Sequence, residues 1–510
     1  YFLLNIVGWC GVIEFNSFIS FYFGNKIDKM EKREIAGVQG QVNNIEVIFV
    51  AFYGRENEQE ALNYIIQKDD FGSGLIFGRR RLGKTELLKH CFSNSNKPFI
   101  IYQCNQENET SNILDLTKVI RETLGVKNLA FDTFVDAIEY LFEYAMNNEL
   151  LFAIDEYPYI RKIINGLDSK IQRIIDNFQN KSKIKFFILG SSISTMEDIQ
   201  SESNPLYRRF ELTLLLKEMD YYDSQKFYSS FSNEDKVMLY AAFGGVPYYN
   251  KQINDKLSVK DNIIRLLSGQ FSHLLSEVTS NIKEELTKVN NAYSVFSSIA
   301  MGAFHYSDIL SKSGIKTSTS LYDTLEILEK MDLIHYACPI NDKKNKKKSG
   351  YGLTDSAVCF YYRYIYHNLS IKNIISDDLF YEKYIKDDFL HTVVPKTFEK
   401  IAKEYLIRKN KNGLIVPYLE DIGTYWYDNP KEKKNGQFDL VTKSSDGYTV
   451  YEVKYTNSKI DNRIINEEVE QLKNTSIYPA KLGFVSKNGF NITYDNDYIL
   501  ITLDDIYDFN

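Results

Sequence analysis

From Phe52 onward, short apolar runs alternate with stretches in which apolar residues recur every three or four positions. The runs at Leu75–Phe77, Phe99–Cys104, Leu150–Ile154 and Phe186–Leu189 read as buried strands. Gly54-Arg55-Glu56 opens an amphipathic helix to about Lys68, and helical patterns cover Thr85–Phe92, Asn112–Leu124 and Phe134–Met146. Strands alternating with helices predict a parallel sheet covered on both faces. Leu214 to about Leu275 reads as mostly helical. Residues 291–339 then carry three helical patterns and a strand. A lysine-rich loop at 341–350, a second strand at Tyr351–Leu353 and helix to about Asn368 follow. After Asp377 the pattern changes again, with a helix at Lys396–Arg408, several β runs and further helix. No internal repeat is visible.

At 510 residues the chain has room for roughly three domains. Hydrophobic residues at 44% and charged residues at 25% exclude a disordered or fibrous chain. With 61 basic against 68 acidic residues the net charge is −7, so any nucleic-acid contact must come from local patches. The five cysteines (Cys10, Cys91, Cys104, Cys338, Cys359) are odd in number and unclustered, and no two histidines have metal-ligand spacing. This argues against a disulfide framework and against zinc, and for a reducing, cytoplasmic setting.

The first fifty residues stand apart. Tyr1–Phe23 is apolar, but Glu14 splits it into two runs, each short of the ~20 residues that span a bilayer. No positive charge precedes it, as a signal peptide would require. A weak membrane anchor, a buried helical extension and translated upstream sequence outside the functional protein are the competing readings. The third is preferred, because the membrane signal falls below threshold and no motif precedes Phe52.

Gly78-Arg79-Arg80-Arg81-Leu82-Gly83-Lys84-Thr85 matches G-x4-G-K-[ST] between a predicted strand and a predicted helix. Glycines let main-chain amides turn inward around phosphate oxygens, and the helix N-terminus adds a favourable dipole. Lys84 would bridge the β- and γ-phosphates of ATP while the Thr85 hydroxyl holds Mg2+. Leu150–Asp155-Glu156 is an apolar strand ending in two carboxylates. Asp155 is placed to bind Mg2+, and Glu156 to orient and activate the attacking water. Ser191, after the next strand, suits sensing of the γ-phosphate. Arg208 and Arg209 could neutralise transition-state charge, in cis or in a neighbouring subunit; plain surface charge is the alternative.

These residues resemble the archaeal-type ATPases within the AAA+/STAND P-loop class. The similarity rests on Phe52-Tyr-Gly-Arg-Glu56, residues 78–85, Ile154-Asp-Glu156, Leu189-Gly-Ser-Ser192, Pro205-Leu-Tyr207 and Gly244-Gly-Val-Pro247. One departure is Tyr207-Arg208, where the family pattern has a glycine before the arginine. The resemblance implies an α/β P-loop NTPase of the additional-strand, catalytic-glutamate class. It also implies a helical lid in which Gly244, Gly245 and Pro247 pack over the nucleotide.

Ala292–Gly302, Tyr306–Ser313 and Ser318–Met331 have winged-helix lengths and spacing, with Leu333–Leu353 as the wing; the resemblance agrees. Lys343, Lys344, Lys346, Lys347 and Lys348 form a mobile basic tip that could touch DNA phosphates. The recognition helix offers Thr317, Ser318, Thr319 and Tyr322, then Asp323, Glu326 and Glu329, with no Arg, Asn or Gln for bidentate base reading. Phosphate contact and a purely packing role both stay open.

Near the end, a strand through Gln437-Phe-Asp439 and a strand Thr449-Val-Tyr-Glu452-Val-Lys454 flank a turn at Ser444–Gly447. Glu452 and Lys454 share one strand face, and a hairpin can set Asp439 beside Glu452. Two oxygen ligands for Mg2+ beside a lysine suit phosphodiester hydrolysis; a cross-strand pair of solvated charges is the bland alternative. The set resembles the PD-(D/E)XK nuclease core, a restriction-endonuclease-like α/β domain, and the C-terminal part resembles domain-of-unknown-function family 234. That resemblance makes Glu399 the additional acid, with Gln471 a weaker candidate.

These readings divide the chain into an extension at 1–50, a P-loop core at 51–213, a lid at 214–285, a winged helix at 286–370, a linker at 371–395 and a nuclease-like domain at 396–510. The leading expectation is an ATP- and Mg2+-dependent ATPase coupled to a DNA-directed nuclease-like domain, acting as a homo-oligomer or by ATP-dependent self-association. The rival is an ATP-operated switch that binds a protein partner, with the C-terminal domain as a non-catalytic nucleic-acid-binding or scaffold module.

Overall fold

The structure is a computed structural model and describes residues 52–509 apart from 287–288, 430–433, 474, 476, 478 and 493–497. Tyr1–Phe23 and the extension at 1–50 lie outside the described residues.

The chain opens with α1 (Glu56–Ile66) and β1 (Gly72–Phe77), then α2 (Lys84–Ser93), β2 (Phe99–Gln103), α3 (Glu109–Leu124) and α4 (Phe134–Tyr144). β3 (Leu151–Asp155), α5 (Tyr157–Ile163), α6 (Leu167–Phe178), β4 (Lys185–Gly190), α7 (Ile193–Ile199) and β5 (Leu212–Leu215) complete the first layer system. The sheet runs β2-β3-β4-β1-β5 with every pairing parallel. β1, β3 and β4 are buried along their whole length, because helices cover both faces. This is the α/β P-loop NTPase fold, and β4 stands between β1 and β3.

Helices α8 (Asn233–Phe243), α9 (Pro247–Asn250) and α10 (His273–Leu286) follow, then α11 (Ala292–Ala300), α12 (Tyr306–Ser313) and α13 (Ser318–Lys330). A two-stranded antiparallel hairpin comes next, β6 (Ile334–Ala337) and β7 (Gly350–Leu353). After α14 (Ser356–Phe360) and α15 (Asp377–Tyr384), the long α16 (Val394–Lys411) leads into a β-rich domain. Its strands are β8 (Asp421–Asn429), β9 (Lys434–Ser444), β10 (Gly447–Lys454), β11 (Ile460–Asp461), β12 (Pro479–Ser486), β13 (Phe490–Asn491) and β14 (Tyr498–Thr502). The five-stranded sheet is ordered β14-β12-β10-β9-β8, antiparallel from β8 to β10 and parallel from β10 to β14. α17 (Asn462–Lys473) and α18 (Leu503–Tyr507) pack beside it.

Two sequence expectations need correction. Leu214 does not begin a helical lid: Leu212–Leu215 pairs with β1 as the edge strand of the parallel sheet. Residues 371–395 are not a linker: Phe380, Tyr381, Ile385 and Phe389 are buried in the main hydrophobic core. Phe389→Ala should therefore cost about 3–5 kcal/mol through the cavity it leaves, read as a lowered thermal midpoint of the whole chain. A true linker position would lose about 0.5 kcal/mol or less.

Candidate nucleotide site and C-terminal carboxylate cluster

β1 ends at Phe77 and the chain turns through 78–83 into α2, whose N-cap is Gly83. A Cβ on Gly78 would run into the Leu216 carbonyl, so only glycine lets the loop lie this close to the strand end. The Lys84 ammonium donates to the carbonyls of Gly78 (2.8 Å) and Arg79 (3.0 Å), curling back into the loop mouth. The Thr85 hydroxyl donates to Asp155 Oδ2 at 2.6 Å, and Asp155 Oδ1 accepts the Glu156 N–H at 2.9 Å. Burial pushes the Asp155 carboxyl above its ordinary range, against the pull of the Thr85 hydrogen bond. Glu156 caps α5 in the left-handed region (φ 52°) and accepts the Ser191 hydroxyl proton at 2.7 Å. Lys84, Thr85, Asp155, Glu156 and Ser191 are thus gathered at the carboxyl ends of β1, β3 and β4. A hydroxyl beside a carboxylate is a hard-oxygen donor set, which fits Mg2+.

The three loop arginines turn their side chains onto protein partners. Arg79 is buried and ion-pairs with Glu218, Asp355 (3.4 Å) and Asp332 (3.7 Å). Arg80 donates to the Tyr159 hydroxyl at 2.8 Å. Arg81 pairs with Glu277 of α10 and lies 3.8 Å from the Tyr248 ring centroid. Arg55, read from sequence only as part of a helix opening and of the family pattern, donates through its guanidinium to the Leu82 carbonyl (3.4 Å) and the Lys217 carbonyl (2.6 Å), bracing the loop. The family-pattern stretch at 52–56 was the signal that could have found it. Gly244 ends α8, Pro247 starts α9, and a Cβ on Gly245 would collide with the Met219 backbone. These three therefore pack against the chain just after β5.

Arg208 and Arg209 cannot act on this loop in cis. The Ser73 hydroxyl, at the amino end of β1, donates to the Arg209 carbonyl at 3.0 Å. Both arginines thus lie at the opposite end of a six-residue strand from the phosphate loop, about 17–20 Å away at ~3.3 Å per residue. Arg209 is also held by Asp176 at 2.8 Å. Arg208 is exposed with φ 56° and lies 4.9 Å over the Tyr207 ring.

Nor is the basic hairpin tip loose. The Ile340 N–H donates to the Thr424 carbonyl (2.8 Å), Lys343 pairs with Asp421 (2.6 Å), and Lys348 sits 3.4 Å over the Trp426 ring. The basic tip, expected from sequence as a mobile loop, is thus docked on β8. Lys344, Lys346 and Lys347 stay exposed.

In the C-terminal sheet, Tyr451 pairs with Leu440 across the β9–β10 hairpin, which sets Glu452 opposite Asp439 one position further on. Lys454 ion-pairs with Glu452, and Gln437 Nε2 donates to Asp439 Oδ1 at 3.2 Å. Glu399, on α16, is pushed up to about 7 by burial and then by the charge of Asp439. Glu468, on α17, is likewise pushed up to about 7 by burial and then by Glu452. It lies one turn before Gln471 and was missed in the sequence. Four carboxylates around one lysine suit a hard cation by donor chemistry. Even so, among the described residues no three Asp, Glu, His or Cys side chains converge closely enough to hold one ion. Lys454 already occupies Glu452, so a joint Asp439–Glu452–Glu399 grip is not formed in this conformation.

Residues 52–253 match a family described as an ATPase domain predominantly from Archaea, and residues 361–466 match one described as archaeal and bacterial proteins of unknown function. An uncharacterized protein of Methanocaldococcus jannaschii is 30% identical over 378 residues, covering 74% of this chain and 82% of its own. Among solved structures, the Walker-type ATPase of Pyrococcus abyssi is 19% identical, with a TM-score of 0.46 over 61% of this chain and 96% of its own. The Aeropyrum pernix ORC2 protein, solved as ADPNP–ADP complexes, is 13% identical, with a TM-score of 0.41 over 61% and 93%. Among the described residues, no helix is long and apolar enough to cross a membrane.

The raised Glu399 carboxyl has a signed consequence. Its proton is retained in the folded chain between the ordinary glutamate range and about 7, so folding loses stability as pH rises through that window and does not regain it above. Glu399→Gln should therefore be more stable than the parent at pH 8 by about 1–3 kcal/mol, with the gain vanishing near pH 4.5. Urea midpoints at the two pH values measure it.

Proposed function

This chain belongs to the family of ATPases found predominantly in Archaea, and from that premise we propose that it binds and hydrolyses ATP at residues 78–85, coupled to a metal-dependent, DNA-directed C-terminal domain. The observation that carries the reading is the 2.6 Å Thr85–Asp155 hydrogen bond beside Glu156 and Ser191. Main-chain amides of 78–84 hold the phosphates, Lys84 moves from its two carbonyls onto phosphate oxygens, and Thr85 with Asp155 hold Mg2+. Glu156 takes the proton of the attacking water, with Ser191 fixing its orientation. The missing cation for the transition state comes from a neighbouring subunit, and the exposed Arg208 is the residue suited to supply it in trans. Gly244, Gly245 and Pro247 hold the lid against the chain after β5, where Arg81 reaches Tyr248 and Glu277.

Helices α11 to α13 with the β6–β7 hairpin support a winged helix, whose Lys344, Lys346 and Lys347 contact DNA phosphates. The mixed five-stranded sheet with Asp439, Glu452, Lys454 and Glu399 supports a restriction-endonuclease-like domain. There the carboxylates would bind Mg2+, which would polarise the phosphodiester, while Lys454 holds the attacking water. One observation favours a second reading, an ATP-operated switch whose C-terminal sheet binds without cutting: the carboxylates do not converge on one ion and Lys454 is paired with Glu452.

Lys84→Ala should abolish ATP binding by calorimetry and ATP turnover; unchanged turnover would reject the site. Mg2+- or Mn2+-dependent nicking of plasmid DNA, with and without ATP, should disappear in Asp439→Ala. Cleavage absent from the parent protein under every metal and nucleotide condition selects the switch.

A further inference from the structure

The Arg79 guanidinium holds both ends of one hairpin. Asp332 immediately precedes the β6 segment and Asp355 closely follows β7, and both carboxylates lie on Arg79, together with Glu218. Asp355 is further fixed by accepting the N–H groups of Ala357 (2.9 Å) and Val358 (3.1 Å), which caps α14. The carbonyl of Arg79 is itself one of the two that Lys84 grips. Whatever draws Lys84 away releases the backbone of the residue whose side chain clamps the hairpin base.

The far end of the hairpin is docked as firmly. Besides the Ile340, Lys343 and Lys348 contacts, Asn341 brackets one residue of β8: its Nδ2 donates to the Trp426 carbonyl at 2.7 Å, and the Trp426 N–H donates to its Oδ1 at 3.1 Å. Trp426 is paired in register with Gln437, and Gln437 donates to Asp439. The base of the hairpin is a four-pair antiparallel ladder, Ile334–Ala337 with Gly350–Leu353, with Tyr336 and Tyr351 in contact across it at 5.2 Å, and residues 338–349 carry it on to the tip. Nine residues from Asp332 to Asn341 reach at most about 30 Å.

We propose that the β6–β7 hairpin is a coupling arm, clamped at its base by Arg79 of the phosphate loop and docked at its tip on Trp426, through which nucleotide state sets the position of Asp439. This rests on the reading of residues 78–85 as a nucleotide site and adds the element that connects it to the C-terminal carboxylates. Coupling needs an element with two arrangements whose equilibrium both sites bias; the hairpin touches the phosphate loop through Arg79 and, through β8 and Gln437, the strand that carries Asp439. Because coupling is reciprocal, loosening the tip must change nucleotide affinity by the factor with which nucleotide changes the tip.

The chain has two tryptophans, Trp9 and Trp426, so Trp9→Phe leaves Trp426 as the sole indole and a reporter of tip docking. In that background, a non-hydrolysable ATP analogue with Mg2+ should shift Trp426 emission while calorimetry on the same sample records binding. Asp332→Asn should still record binding heat, with an affinity changed by the coupling factor, and lose the shift in emission. Asn341→Ala, at an exposed position that does not touch the loop, should change nucleotide affinity by about fivefold or more. Binding heat with a silent Trp426 in the parent, a full shift in Asp332→Asn, or unchanged affinity in Asn341→Ala would each overturn the arm and leave the nucleotide site standing. No binding heat in the parent would instead overturn the site itself, and the arm with it.

Discussion

Thr85 and Asp155 stand on segments separated by a whole strand. β4 lies between β1 and β3, which puts those two strands about 10 Å apart at ordinary spacing. Their 2.6 Å contact exists because the loop at 78–83 carries the chain sideways before α2 begins. The intervening strand then ends between them and delivers Ser191 to Glu156. Three strand ends are locked by two side-chain hydrogen bonds, so the two successive acidic residues point apart: Asp155 toward the hydroxyl at the helix start, Glu156 toward Ser191 at the end of β4.

Two clusters of excess negative charge are treated differently by the fold. Around Arg79, three carboxylates share one guanidinium, and the ends of the cluster are fixed by the α14 cap and by burial. Such a set resists change, since removing one partner leaves buried charge uncompensated. Around Lys454, which pairs with Glu452, lie Asp439, Glu399 and Glu468, and Glu399 and Glu468 are both pushed up to about 7. In this second set, burial and mutual repulsion keep protons on carboxyls up to near neutral pH. The first is mechanical and the second chemical.

The phosphate loop was legible because its residues are contiguous and its context, strand then helix, is local. Asp439 and Glu452 were legible as a pair because the turn at Ser444–Gly447 fixes the hairpin register. Glu468 was not, since which face of α17 meets the sheet depends on the burial of Ile465 and Leu472, a tertiary fact. The strand at Leu212–Leu215 hid inside a longer leucine run. The buried stretch around Phe389 hid because a π-helical turn at residues 389–393 shifts the helical phase and breaks the periodic pattern. The fates of Arg79, Arg208 and Arg209 were illegible for a simpler reason: a sequence gives an arginine's charge but not its partner. Asp355 lies 276 residues from Arg79 along the chain.

An exposed edge strand is a hazard that proteins cover. β8 is the outer strand of the C-terminal sheet, and its cover is Ile340 and Asn341, borrowed from the hairpin that precedes the domain. The opposite side is held too. Glu404 on α16 accepts the Tyr221 N–H at 3.0 Å and the Tyr240 hydroxyl of α8 at 3.1 Å, and Arg408 pairs with Asp220 at 2.8 Å, which ties α16 to α8 and to the segment after β5. A sheet tied on one side to the hairpin and on the other to the chain leaving the ATPase core is not an appended module. Its carboxylates sit in a frame tied on one side to Asp220, Tyr221 and Tyr240 and on the other to the hairpin, so the sheet and the P-loop half share their ties.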